Sequence, residues 1–461
     1  MTDGPGRLTA EHPLVHELVT QGPTGWRRVD ATFAVTVAGE LGHVVYSVGE
    51  QTVSRTPTET ELAVIRELRA VAARSAVGPW WRMLVVLANA GEMQIDYDYG
   101  DEPFPEVRLF GPEAYRADLA AFPRDKVPVW LAAYIGHGDR QVRTPQQAAA
   151  QARADRAGHV WAVLAENEFP PLPVMLARWA TVAAAFVAAK SDRGPRMLPW
   201  IGSFETTARS GSTLHVLPAG RAVLSGGVWE APTLDAVYNG GVSMPKLYAG
   251  APDWVTDPVL NPRATSGLLS FCYWWEAGHW YRGQSPPAEQ CAAAVPGVWT
   301  RDTVIEIVAG LVGDGPDNDA IASWLSTAEG DLVTRETLVD VFGDDGSFDI
   351  DGALYQYSAV GLVPTAAEPM LVEEAISRVR DYITGRKLDT TGYPLSQLVA
   401  HRFSVGWMVY VPVSEGEMAI GRAIFYIGDD GVLEHSSSSI PPGIYIPEFE
   451  QRFSERQASI A

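Results

Sequence analysis

The stretch from residue 403 to 449 constrains this chain most. Phe403-Ser-Val-Gly-Trp-Met-Val-Tyr-Val-Pro-Val413 and Ala419-Ile-Gly-Arg-Ala-Ile-Phe-Tyr-Ile427 are both rich in β-branched and aromatic residues. Such residues suit a pleated, half-buried surface. The polar residues Ser414–Glu417 separate the two runs, so together they read as a hairpin. Gly428-Asp-Asp-Gly431 then supplies residues that tolerate positive φ, which a second tight turn requires. Nothing in this stretch has the look of a catalyst.

With 461 residues, the chain is expected to form two to four domains. Its 46% hydrophobic content is that of a folded protein. No apolar run approaches the roughly 18 residues a membrane span needs. Met1-Thr-Asp-Gly-Pro-Gly-Arg7 has no basic segment leading into an apolar one, so no Sec-type signal is expected. The two cysteines, Cys272 and Cys291, have no partners at metal spacing and fit buried thiols in a reducing cytosol. These features predict a cytoplasmic protein.

A net charge of −21 argues against nucleic-acid binding, which needs a basic surface to neutralise phosphates. It suits association with a basic partner. Thirteen Asp and Glu residues lie between Asp302 and Asp351 with Arg335 as the only cation, so over half of the net charge falls in about fifty residues. Such a run is either a solvated face or a docking surface for a basic protein.

From the N-terminus, residues 8–19 predict a short helix. Val29, Ala31, Phe33 and Val35 alternate with polar Thr32 and Thr36, the period of a half-buried strand. His43–Val48 predicts a second strand. Thr58-Glu-Thr-Glu61 is a capping box opening a helix striped by Leu62, Ile65 and Leu68. Trp80–Ala88 predicts a buried strand, Asn89–Gly91 a turn, and Met93, Ile95 and Tyr97 alternate against Gln94, Asp96 and Asp98. The order is that of an antiparallel sheet with packed helices.

In this order, Gly25-Trp26, the Trp81 strand and Gly91-Glu-Met-Gln-Ile-Asp96-Tyr-Asp98-Tyr99 resemble the YezG-like immunity proteins, antitoxins of bacterial polymorphic toxin systems. The resemblance covers roughly residues 12–135, and the Pro- and Trp-rich end Phe122–Tyr134 departs from it. It implies an immunity domain over residues 8–137.

The polar, Ala- and Gln-rich residues 138–158 read as a surface helix or helical linker. The middle region, 159–365, resembles no family. Leu172–Lys190 predicts a buried helix, followed by short strands at Thr213–Leu217, Ala222–Leu224, Lys246–Tyr248 and Leu268–Trp274. Phe271–Tyr281 is the most aromatic run and reads as core or an interface anchor. Residues 303–361 read as a small helical group: Thr303 and Glu306 form a capping box with a stop at Gly313. Asn318 and Thr334 cap two further helices that stop at Gly330 and Gly343, and a fourth covers Asp351–Ala359. Thr365–Pro369 is a linker.

The last module, 366–461, opens with a helix whose Val372, Ile376, Val379 and Ile383 share one face and which ends at Gly385. Glu373-Glu374-Ala375, Gly406-Trp407, Gly421, Asp430-Gly431 and the tail Pro441-Pro-Gly-Ile-Tyr445-Ile-Pro-Glu-Phe449 resemble the YrhB-like immunity domain over about 370–453. The chain departs from that family at Arg422-Ala423-Ile424, where Asn-Ala-Pro is more usual.

Several chemical sites fail on inspection. Asp344–Gly352 looks like an EF-hand, but the required glycine is Ile350 and the closing glutamate is Gln356. His12 and His16 stand at i,i+4 with Pro13 between them and form no zinc motif. Asp96 and Asp98 share a strand face and read as a solvated surface rather than a metal or acid–base pair. No phosphate-binding or nucleophile-elbow motif occurs, Ser436–Ser439 reads as a loop, and no cofactor or metal is expected.

The chain therefore reads as a multi-domain α+β protein. The resemblances imply an immunity protein that occludes a cognate toxin domain, with a basic toxin such as a nuclease as partner and no catalysis. Contact candidates are Asp96, Asp98 and Tyr99 at one end and Trp407, Arg422 and Asp430 at the other. A chaperone or adaptor holding secretion substrates on a sheet edge is the alternative. An enzyme with a cleft by Glu276 and His279 comes third.

Overall fold

The computed structural model describes residues 6–8, 12–75, 77–88, 93–312, 318–363, 370–413 and 421–460. The protein is α+β with three antiparallel sheets. It divides into two compact units, Met1–Pro171 with Ser203–Pro296, and Leu172–Gly202 with Gly297–Ala461. The turns expected at Asn89–Gly91 and Ser414–Glu417, the stop at Gly313 and the linker Thr365–Pro369 lie outside the described residues.

The first unit opens with β1 (Gly6–Leu8), α1 (Pro13–Thr20), β2 (Arg28–Thr36), β3 (Gly39–Val48), β4 (Gln51–Arg55), α2 (Glu59–Ala72), β5 (Arg82–Ala88) and β6 (Met93–Asp98). The strands form one sheet in the order β1-β6-β5-β2-β3-β4. The alternation read in β2 is real: Val29, Ala31, Phe33 and Val35 join Leu14, Leu18 and Ile65 in one core. The capping box closes α2 as expected, with Glu61 N donating to Thr58 Oγ1 (3.2 Å) and Thr58 N to Glu61 Oε2 (2.7 Å). Glu61 is fully buried and also takes Arg55 at 2.6 Å, and Arg55 in turn donates to the Tyr46 hydroxyl. Burial pushes the Glu61 carboxyl up, but Arg55 and Thr58 outweigh it and hold it below its ordinary value.

The chain continues through α3 (Pro112–Ala121), α4 (Val129–Gly136) and α5 (Pro145–Ala157). The Pro- and Trp-rich segment that departed from the family pattern is packed structure. Trp130 and Leu131 join Trp81, Phe104 and Tyr115 in a second core, and Trp130 Nε1 donates to the Gly100 carbonyl at 2.7 Å. Asp118 of α3 ties these elements together. It is 1% exposed and accepts from Arg69 with both oxygens (2.8 Å each), from Trp81 Nε1 (3.0 Å) and from Val37 N (2.9 Å).

A second sheet in this unit runs Val163–Leu164, His279–Arg282, Phe271–Glu276, Arg221–Gly227, Gly211–Leu217. The aromatic run is its central hairpin, turned by Ala277 and Gly278 at positive φ. Phe271, Tyr273 and Trp274 are buried, and Trp274 stacks on Tyr281. Cys272 and Cys291 are free and buried. Lys246–Tyr248, expected as a strand, is instead a turn whose Leu247 and Tyr248 are drawn into the core. Burial, not ladder pairing, accounts for the apolar residues there.

In the second unit the buried helix Leu172–Ala188 packs against Arg301–Val312, Asn318–Glu329 and Ile350–Ser358. The first of these begins earlier than its apparent cap. Thr300 Oγ1 accepts from Thr303 N at 3.1 Å, so Thr300 rather than Thr303 closes the turn. Thr334 caps Arg335–Phe342 as expected.

The C-terminal sheet runs in sequence order through Val399–Phe403, Gly406–Tyr410, Ala423–Gly428 and Leu433–Ser437. Its alternation serves two cores. Phe425 and Ile427 pack with Val379 and Ile383 of helix Val372–Gly385, while Ile424 and Tyr426 pack with Phe449. The proline tail is a helix, Pro442–Ile460: Pro442 sits at its start, where a missing N–H costs nothing, and Pro447 lies inside it. Gly406 is needed ahead of Trp407, since a Cβ there would stand 2.2 Å from the Ile427 carbonyl oxygen.

Candidate partner-binding surfaces

The three candidates of the N-terminal module occupy different settings. Asp96 is exposed on β6. Asp98, on the same face, is 22% exposed and engaged: Arg82 lies 3.0 Å away and Gly100 N donates to it at 2.8 Å. Burial pushes its carboxyl above the ordinary range despite both contacts. Tyr99 borders a surface cleft of about 540 Å³ with Arg124, Lys126, Asp101 and Glu230. In that cleft Arg124 lies over the Trp81 ring at 3.7 Å, and burial pushes its guanidinium down to about 10.

The three candidates of the C-terminal module are held by their own fold. Trp407 Nε1 donates to the Met370 carbonyl at 2.7 Å, and Arg402 covers its ring. Arg422, at the departure from the family pattern, donates to Gly392 O (2.7 Å) and Pro412 O (3.2 Å). Asp430 accepts from Val432 N at 3.1 Å within its turn. The neighbouring Asp429 is the residue that sequence reasoning missed. It accepts from Arg402 with both oxygens (2.7 and 2.6 Å) and from Met370 N (2.8 Å). Two adjacent aspartates in one turn look alike in sequence, and only the fold separates Asp429, which takes Arg402, from Asp430, which takes Val432 N.

The acidic helices present a different surface. Asp302, Glu306, Asp331, Glu336, Asp340 and Asp345 are all exposed. Among the described residues Arg335 pairs only with Asp344 and Asp351, each at 3.4 Å. Glu329 is the inward member, paired with Arg178 at 2.9 Å and with Arg301. Asp314 and Asp317 lie outside the described residues. A single-sign surface of this kind raises the encounter rate with a basic partner.

The remaining chemical candidates have structural partners. Asp345 accepts from Ser347 N and Asp349 from Gly352 N, which makes the EF-hand-like segment a pair of capped turns. His12 Nδ1 caps α1 through Leu14 N. Glu276 and His279 face each other across the tip of the aromatic hairpin, with His279 exposed. Ser436 and Ser437 belong to a strand rather than a loop. Among the described residues no group of three or more His, Cys, Asp or Glu side chains is placed to hold a metal ion, and no helix is long and apolar enough to cross a membrane.

No protein-family model matches the sequence, and no characterised protein matches it. The surfaces above therefore stand on their own geometry: an exposed acidic helical group in the second unit and a mixed-charge cleft beside Tyr99 in the first.

Proposed function

We propose that this protein is an immunity protein of a bacterial polymorphic toxin system, acting in the cytoplasm. It binds a basic toxin domain, such as a nuclease, and covers the surface that the toxin uses. Turnover has no part in this. The observation that carries the reading is the exposed acidic helical group, in which Glu336, Asp340 and their neighbours face solvent with Arg335 as the only cation between Asp302 and Asp351. The resemblance of residues 8–137 and 366–461 to YezG-like and YrhB-like immunity domains supports it. Asp96 is the exposed contact among the six candidates, and Asp98, Trp407, Arg422 and Asp430 are already bonded within their modules.

A second reading, a chaperone or adaptor, has one observation in its favour. The edge strand β4 exposes Gln51, Thr52, Val53 and Ser54, a place where an extended segment can add to the sheet.

Co-expression in a sensitive host separates the two. The full chain should rescue growth against the toxin encoded beside it, and the triple variant Asp331→Lys, Glu336→Lys, Asp340→Lys should not. Failure of the full chain to rescue against any neighbouring toxin would rule out immunity at that locus. Rescue untouched by the triple variant would remove the acidic surface from the mechanism.

A further inference from the structure

The first unit contains a cleft of about 180 Å³, walled by Arg140, Gln141, Arg143, Gln151 of α5, residues 244–249 and Thr256. Met244, Pro245 and Leu247 give it an apolar wall, and Arg140, Arg143 and Lys246 give it three positive charges. None of its lining residues is acidic. The nearby carboxylate of Asp155 is already occupied, accepting from Gln151 Nε2 at 2.6 Å and from Gly250 N at 2.9 Å.

The two arginines are fixed without being neutralised. Arg140 donates to the His137 and Gly136 carbonyls, and Arg143 to the carbonyls of Arg140 and Val142. Among the described residues, none of the ion pairs involves Arg140, Arg143 or Lys246.

Tyr248 lines the same cleft. It is only 7% exposed, and among the described residues its hydroxyl has no hydrogen-bond partner. A buried hydroxyl left unbonded is costly, and a water or a ligand in the cleft would satisfy it. Burial, with the Cys272 thiol nearby, keeps this hydroxyl protonated and so a donor, and Arg143 is close enough to oppose part of that effect. Tyr248, clustered cations and an apolar wall line one small cleft, and together they fit an amphipathic anion.

We propose that this cleft binds a small organic anion with a carboxylate or phosphate head and a short apolar body. The anionic oxygens take the Tyr248 hydroxyl, Arg143 and Lys246, and the body lies against Met244 and Leu247. The proposal is independent of the immunity reading, because the cleft and the acidic helices belong to different units.

Calorimetric titration of the full chain with benzoate, phenyl phosphate and neutral benzamide tests it. At least one anion should bind with a Kd on the order of 1 mM or tighter, as a ligand of this size allows, and benzamide should bind more weakly. Whichever anion binds better identifies the head group. Lys246→Ala changes an exposed side chain and should weaken anion binding by about fivefold or more; Tyr248→Phe should do likewise with no loss of melting temperature. The proposal is overturned if neither anion binds, if benzamide binds as tightly as the anions, or if Lys246→Ala binds them as the parent chain does.

Discussion

Each unit holds an aspartate clamped by an arginine beside a tryptophan, and the two clamps differ in depth. In the first unit, Asp118, Arg69 and Trp81 are almost entirely inaccessible, and they join α2, α3, the β2–β3 turn and the residue that leads into β5. In the second, Asp429 is 6% exposed but Arg402 is 32% exposed, and the clamp closes the C-terminal sheet onto the start of its helix at Met370. A deep clamp cannot lose one partner without stranding a charge in the interior, whereas a shallow one can hand its charge to water. The first clamp therefore holds the fold together, and the second trims it.

The largest test of this contrast is Asp118→Ala, which leaves Arg69 buried without its counter-charge. Urea unfolding of the first unit should show a loss of about 3–5 kcal/mol. A loss as small as that expected for Asp429 would erase the distinction. Gly406→Val probes what holds the C-terminal sheet instead. With the Ile427 carbonyl 2.2 Å from the new Cβ, the variant should lose about 1–3 kcal/mol through steric strain alone.

Asp429→Asn should cost less, about 1–2 kcal/mol, because Arg402 regains solvent. Burial pushes the Asp429 carboxyl up, but the bonds from Arg402 and Met370 N prevail and leave it below the ordinary aspartate value. Its contribution is thus complete above the unfolded value, about pH 4, and is lost as pH falls through the lower folded value. Acid titration of the Asn variant should show a shallower loss of the C-terminal module over that range than the parent chain. The smallest effect belongs to the exposed acids. Glu336→Lys and Asp340→Lys should each leave stability nearly unchanged while slowing association with a basic partner, a difference that stopped-flow mixing at low and high salt would reveal.

The same difference in depth explains what could be read from the sequence. Local chemistry was legible: the Thr58–Glu61 box, the alternation of β2 and the Thr334 cap all rest on residues a few positions apart. Trp81 was visible as a buried residue, but its partner Asp118 lies 37 positions away, with no local spacing to link the two. Lys246–Tyr248 was misread because a short apolar triplet carries no period long enough to tell a strand from a buried turn. The site candidates are residues of conspicuous chemistry. In the C-terminal module that same chemistry is spent on holding the turns closed, as with Arg422 on Gly392 and Pro412.

The two buried thiols have a practical consequence. Cys272 and Cys291 are the only cysteines in the chain, and both lie in the first unit. Burial raises both, with Cys291 reaching about 12, so neither carries appreciable thiolate while the fold is closed. Alkylation must wait for the surrounding structure to open, which makes its rate a clock for that opening. The second unit has no cysteine to answer the reagent, so pulse labelling times the fluctuations of one half of the molecule against a silent background.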